Sequence, residues 1–243
     1  MNRRFRGFTL VEVMLALTLG AIVLGSLIVV TQGVTGALRQ AQALDLLAST
    51  TRHVRAELLA VTSGAGARRD PVTQTALAAV AGSRSDPTGD VLVLQALTPR
   101  NCFDNDNPVR GPEGLPAWWL QRNEYAVRDG WRLVRRCTYG PPGSHGIRQL
   151  NAATLVEGVE ALRLRFGLDS DGDRRLDRWV SAASVGDESS VIGVRVGLLL
   201  ATEQPVGARP QAPLELFGEA ITVPTDGRAR LAAMLTLPIR GRL

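Results

Sequence analysis

The sequence predicts an α+β chain in which one long N-terminal helix packs on an antiparallel β-sheet. Three observations carry that expectation. An apolar run, Phe8–Val30, is 23 residues long and passes into a repeat with helical spacing. Downstream, Tyr125–Arg128 and Trp131–Arg136 flank Asp129-Gly130, a pair that a two-residue type I′ hairpin turn favours. Leu162, Leu164 and Phe166 then alternate with Arg163 and Arg165, as a strand with one wet face does. A helix followed by strands, without βαβ alternation, is the α+β order.

The helix comes first in the chain. As a helix, Phe8–Val30 is about 35 Å long at roughly 1.5 Å per residue, more than the roughly 30 Å of a bilayer's hydrocarbon. Arg3, Arg4 and Arg6 precede it, and no positive charge occurs after it until Arg39. The positive-inside rule then keeps the N-terminus cytoplasmic and exports the chain beyond the helix. A cleavable secretory signal has a shorter apolar stretch and then a small-residue cleavage site. Here the obvious processing point lies before the run, at Gly7, so the helix survives processing. Leu44, Leu47, Thr51, Val54, Leu58 and Val61 continue at three- and four-residue spacing, while Arg39, Gln42, Asp45, Arg52 and Arg55 take other faces. This amphipathic half runs to about Val61, where Ser63-Gly64-Ala65-Gly66 ends it. The chain thus divides into a leader (1–7), a membrane helix (8–38) and an exported globular domain (39–243).

The exported part has 205 residues, enough for one sizeable core. A polar stretch from Gly64 to Asp90 holds a short helix candidate at Val72–Ala81, and Val91–Leu97 is the first strand candidate. Asn101–Pro116, rich in Pro, Gly and Asn, reads as a loop. The hairpin and the Leu162–Phe166 strand come next, with further strand candidates at Val191–Leu200 and Arg230–Pro238.

The formal charge is +5, and the leader holds three of the arginines. Residues 39–243 carry 25 Arg against 22 acids, or +3. That is a weak signal for nucleic acid, and no compact basic stripe interleaved with aromatics runs along the chain. Cys102 and Cys137 both fall in the exported part, where an even count favours a disulfide. Two buried thiols or a metal pair are the alternatives, and a metal lacks further ligands.

Glu12 is the one acid in the apolar run. Near the centre of a span an acid costs on the order of 2.5–3.5 kcal/mol, and less near an end. Either it snorkels in a plain anchor, or it waits for a positive partner that arrives on assembly. Arg6-Gly7-Phe8-Thr9-Leu10-Val11-Glu12 resembles the class III signal of type IV pilins and type II secretion pseudopilins. The resemblance implies a prepilin peptidase cutting between Gly7 and Phe8, N-methylation of Phe8, and pairing of Glu12 with a neighbouring subunit's N-terminal amine. The absence of proline before Pro71 departs from many major pilins.

A second resemblance lies further on. Val156–Val180, the Val191–Leu200 strand and the hairpin "EYAVRDGWRLVRRC" resemble PilW-type minor pilins. This implies a type IV pilin-like fold and a minor pilin that serves the assembly, initiation or tip of a pilus. The partners implied are other pilins, the prepilin peptidase and the inner-membrane assembly platform. The implied location is the inner membrane, single-pass, and then the pilus surface. A J-type pseudopilin of type II secretion shares the N-terminus, and a DNA-uptake minor pilin is a third reading.

The sharpest polar cluster is Asp169, Asp171, Asp173 and Asp177. Carboxylates at alternate turn positions are how calcium loops gather oxygens, but an EF-hand needs glycine and glutamate where Arg174 and Val180 stand. A looser calcium site stays open beside the favoured reading, a solvated turn neutralised by Arg174, Arg175 and Arg178. Trp118-Trp119 reads as a loop anchor or an adhesive patch. His53 and His145 have no nucleophile or acid partner at a recognisable spacing, and no catalytic motif is present. The sequence reads as a non-enzyme.

Overall fold

The structure, a computed structural model, describes residues 9–66, 78–86, 89–108, 114–142, 148–149, 152–207 and 213–239. Gly7, Phe8, His145 and most of the Val72–Ala81 helix candidate lie outside the described residues; Ala79–Gly82 form a turn.

One helix, α1, runs unbroken over Leu10–Gly64. From Leu10 to Leu38 every side chain is exposed, although this stretch is apolar enough to cross a membrane. Burial begins beyond it, at Ala43, Leu47, Val54, Leu58 and Thr62. The buried stripe therefore differs from the sequence expectation at its ends. Leu44 turns outward at 36% exposure, while Ala43 and Thr62 turn in. Spacings of four and seven make a straight ridge on a helix, and that ridge is what meets the sheets.

Six strands form a first antiparallel sheet: β1 (Arg84–Asp86), β2 (Gly89–Thr98), β3 (Trp119–Arg128), β4 (Arg132–Gly140), β5 (Arg148–Gln149) and β6 (Ala153–Glu157). The order is β1-β2-β3-β4, and β5 and β6 both pair with β4. Asp129 and Gly130 turn the β3–β4 hairpin with φ of 55° and 60°, and the Trp131 N–H donates to the Arg128 carbonyl at 3.1 Å. The two positive φ values and that bond are the I′ pattern the dipeptide predicts, but the register pairs Arg128 with Arg132, so Trp131 joins the loop as a third residue.

The second sheet holds β7 (Val159–Leu168), β8 (Arg178–Val180), β9 (Val191–Ala201) and β12 (Arg230–Pro238), in the order β12-β9-β7-β8. A small hairpin, β10 (Leu214–Leu216) and β11 (Glu219–Ile221), completes the fold. The antiparallel sheet that the sequence predicts is divided, with the helix packed on two antiparallel sheets. In the second, β8 takes three residues at the end of β7, and β9 pairs along β7's other edge. Gly158 alone separates β6 from β7 and carries the chain between sheets at φ 81°. A Cβ there would stand 2.6 Å from the Ala201 carbonyl oxygen, so only glycine fits.

The inner faces of both sheets and the distal half of α1 share one core. It includes Leu47, Val54 and Leu58 of α1, Leu92 and Leu94 of β2, and Tyr125 of β3. Leu162, Leu164 and Phe166 of β7 join it with Val194, Val196 and Leu198 of β9 and Leu235 and Leu237 of β12.

Candidate assembly terminus and sites of the β-domain

Thr9 is the N-cap of α1, and Glu12 is the third residue inside it. The Glu12 N–H donates to Thr9 Oγ1 at 3.3 Å, while the Thr9 N–H donates to Glu12 Oε2 at 2.9 Å. The Thr9 hydroxyl donates to the same oxygen at 3.0 Å. This is a reciprocal capping box. Its signature, Thr-x-x-Glu before an apolar run, is present in the sequence, and reading Glu12 as an isolated charge missed it. The box satisfies donors that a helix start otherwise leaves orphaned, a need that grows where no water reaches. Glu12 Oε1 accepts no hydrogen bond among the described residues, so one oxygen is left for a cation.

The far end of α1 is pinned to the first sheet by a polar relay. Arg135 Nη1 donates to Glu57 Oε1 at 2.9 Å, and Arg135 Nε donates to Asn123 Oδ1 at 2.8 Å. The Tyr125 hydroxyl reaches the same Glu57 oxygen at 3.4 Å. Burial pushes the Tyr125 phenol above its ordinary range, against the pull of Arg135. Beside this relay lies a groove of about 630 Å³, lined among others by Glu57, Val61, Arg100, Trp118 and Arg135. Cys102 and Cys137 are joined across its wall, with Cα atoms 5.9 Å apart. The bond ties the loop after β2 to β4. Asn107 holds the same loop, its amide donating to the carbonyls of Thr98 and Ala117 at 2.8 and 2.9 Å.

Asp169, Asp171 and Asp177 bring carboxylate oxygens within 4.8 Å of one another, and Asp173 is not part of that group. The loop's own backbone already uses both oxygens of Asp169 and one each of Asp171 and Asp177. The N–H groups of Gly172 and Arg174 donate to Asp169, that of Ser170 to Asp177, and that of Asp173 to Asp171. Such Asx bonds are how short acidic turns hold themselves. The aromatic-Gly pair that precedes the loop, Phe166-Gly167, has a packing reason. A Cβ on Gly167 would meet the Trp179 ring at 3.1 Å and Leu176 at 2.5 Å. Arg195 stacks on that ring at 4.2 Å from its centroid.

Trp119 stacks on Tyr139 with centroids 5.9 Å apart, which makes it an anchor, while Trp118 is 40% exposed. His53 stands exposed on α1. Sequence reasoning missed Arg230, the most buried charged side chain among the described residues, which forks onto Glu160 and Asp226. A β-bulge at Val159–Ala161 leaves Glu160 out of the ladder to make that contact.

Residues 2–28 match the prokaryotic N-terminal methylation motif. Residues 124–241 match the family described as type IV pilus-assembly protein W, PilW. A type IV-like pilin from Thermus thermophilus shares the fold, with a TM-score of 0.51 at 17% identity, over 81% of this chain and 98% of that one. No curated protein matches. Signal, long helix and β-domain together make this chain a type IV pilin-like protein. Within that class it carries a PilW-type C-terminal region, which begins in the middle of β3.

Proposed function

We propose that this chain is a minor pilin, cut between Gly7 and Phe8 and methylated on Phe8, that takes part in pilus assembly, initiation or tip function. The observation that carries the reading is the apolar helix surface from Leu10 to Leu38, which no part of the chain covers among the described residues. Such a surface is stable in two settings, lipid and a bundle of like helices, and a pilin moves from the first to the second. The methylation motif lies at the start of that same surface. Residues 1–7 act as leader, 8–38 as membrane and filament-core helix, and 39–243 as the exported domain, with other pilins, the prepilin peptidase and the assembly platform as partners. The chain sits in the inner membrane with its N-terminus cytoplasmic before it joins the pilus. Its role is structural rather than catalytic. Calcium is the one cofactor that the carboxylates of Asp169, Asp171 and Asp177 could take, and the proposed role does not depend on it.

The test has two readouts. Mass spectrometry of the N-terminus should find methylated Phe8 in wild type, and the Gly7→Ala variant should retain the leader with its three arginines. Pulldown from membranes should recover other pilins. A mature chain that begins elsewhere would overturn the assignment. Recovery of secretion components in place of pilus components would move it to a pseudopilus.

A further inference from the structure

Register sets two arginines face to face on the outer side of the second sheet. Arg165 of β7 stands opposite Arg195 of β9, while Leu164, Phe166, Val194 and Val196 on either side of them belong to the core. Like charges directly opposite in a sheet repel, and the chain answers only one of them. Arg165 Nη2 donates to Glu219 Oε1 of β11 at 2.7 Å, and its guanidinium lies 5.3 Å from the centroid of the Phe217 ring. Arg195 has the same aromatic support, from Trp179 at 4.2 Å, but no carboxylate. Among the described residues, its guanidinium makes no hydrogen bond and no ion pair, and the residue is exposed.

Glycines shape the surroundings. Gly193 and Gly197 flank Arg195 at two-residue spacing, on the same face of β9. A Cβ on Gly193 would stand 3.5 Å from the Trp179 ring, and one on Gly197 would stand 3.0 Å from the Phe217 ring. The two aromatics therefore lie close over bare strand, one on each side of Arg195. On β12 its neighbours are the exposed Thr236, directly opposite, and Met234, 64% exposed and opposite Gly197.

We propose that Arg195 receives a carboxylate from a partner polypeptide, on an acidic residue set among apolar ones. Arg165 with Glu219 shows within the chain what Arg195 lacks, a guanidinium backed by a ring and closed by a carboxylate. A guanidinium stacked on a ring is already oriented, so little freedom is lost when its fork closes on an acid. Thr236 offers a hydroxyl donor on the neighbouring strand. The apolar surroundings select the kind of acid. One unanswered cation among Trp179, Phe217 and Met234 suits a single carboxylate whose own neighbours cover those surfaces, whereas a polyanion needs a row of cations. In the sequence Arg165 and Arg195 are two equivalent wet positions, and only the Glu219 contact tells them apart. The site belongs to the β-domain and is the same whichever filament the chain joins.

The test uses the full chain in nanodiscs of zwitterionic lipid, with empty nanodiscs as the blank. The probes are two fluorescent peptides in which a single glutamate or a single glutamine stands between valines, read by anisotropy. Wild type should bind the glutamate peptide about tenfold tighter than the glutamine one, the scale of a hydrogen bond to a charged group. Arg195→Ala should erase that preference. Glu219→Gln releases Arg165 beside the site and should tighten the glutamate peptide several-fold, a gain that misfolding cannot imitate. Arg84→Ala, on the first sheet, should bind as wild type. Equal binding of the two peptides by wild type overturns the proposal, as does a preference that survives in Arg195→Ala or weaker binding in Glu219→Gln. Binding of duplex DNA or anionic vesicles that exceeds binding of the peptide and is lost in Arg195→Ala also overturns it, because it would give Arg195 to a polyanion.

Discussion

Arg230 has a side chain only 1% exposed, yet it leaves no donor unused. Its Nε and Nη2 donate to Glu160 at 2.8 and 2.9 Å, and Nη1 and Nη2 donate to Asp226 at 2.7 Å each. Nη1 also meets the Pro224 carbonyl at 3.3 Å. This fork closes the loop before β12 onto the bulge of β7. Arg230→Ala should cost about 3 kcal/mol, the low end for a broken buried pair, because both carboxylates keep contact with water. The hydrogen bond from Arg230 holds the Asp226 carboxyl well below its ordinary range. A carboxylate depressed in the folded state adds stability that is complete above its unfolded value, about pH 3.9. That stability fades as pH falls toward the folded value. Asp226→Asn should therefore melt below wild type at neutral pH, and the gap should close as pH drops below about 4. Equal melting at neutral pH would remove Asp226 from the fork. None of this shows in the sequence, since Glu160, Asp226 and Arg230 meet only through the bulge.

At the scale of elements, legibility depends on the source of each signal. Leu162–Phe166 alternates within itself, while Val191–Leu200 and Arg230–Pro238 are mostly apolar runs, so each shows as a strand locally, and the structure extends Leu162–Phe166 to Val159–Leu168. Asp129-Gly130 fixes a hairpin because its two φ values are local. By contrast, β1, β8, β10 and β11 have three residues each and no period of their own. β1 and β8 are strands because a longer neighbour offers an edge, and β10 and β11 because they pair with each other. The Glu57–Arg135 contact spans 78 positions and has no sequence signature at all. The disulfide is the covalent counterpart of that contact, as both hold the neighbourhood of β4. Its sequence separation of 35 implies roughly 3–4 kcal/mol from restriction of the unfolded chain. Cys137→Ser should lower the urea midpoint correspondingly, without removing the Glu57–Arg135 relay. Protein purified without reductant should yield no alkylatable thiol; two reactive thiols would show the bond absent.

The whole molecule joins a β-domain with its own core to a helix half that has none. The bare half was legible from composition alone, whereas the split into two sheets depends on Gly158, one residue whose importance lies in a 2.6 Å approach to another strand. Glu12 is where the two levels meet, because its carboxylate closes the capping box through Oε2 and leaves Oε1 open. It can thus serve as cap, as charge, or as both, and one pair of substitutions separates these roles. Glu12→Val removes the charge and the carboxylate half of the cap, leaving the backbone N–H bond to Thr9 Oγ1. Glu12→Gln keeps the cap, since glutamine closes the same box, and removes only the charge. A plain membrane anchor would tolerate both, because each takes a charge out of lipid. If Glu12 answers a neighbour's N-terminal amine, each variant leaves that amine uncompensated. Membrane levels and leader cleavage should then stay normal, while the ratio of this chain in sheared filaments to membranes falls about tenfold, equivalent to roughly 1.4 kcal/mol. The glutamine variant should fall as far as the valine one. Wild-type incorporation of the glutamine variant with failure of the valine variant would assign Glu12 to the cap alone, and wild-type incorporation of both would leave it a tolerated acid at the membrane edge.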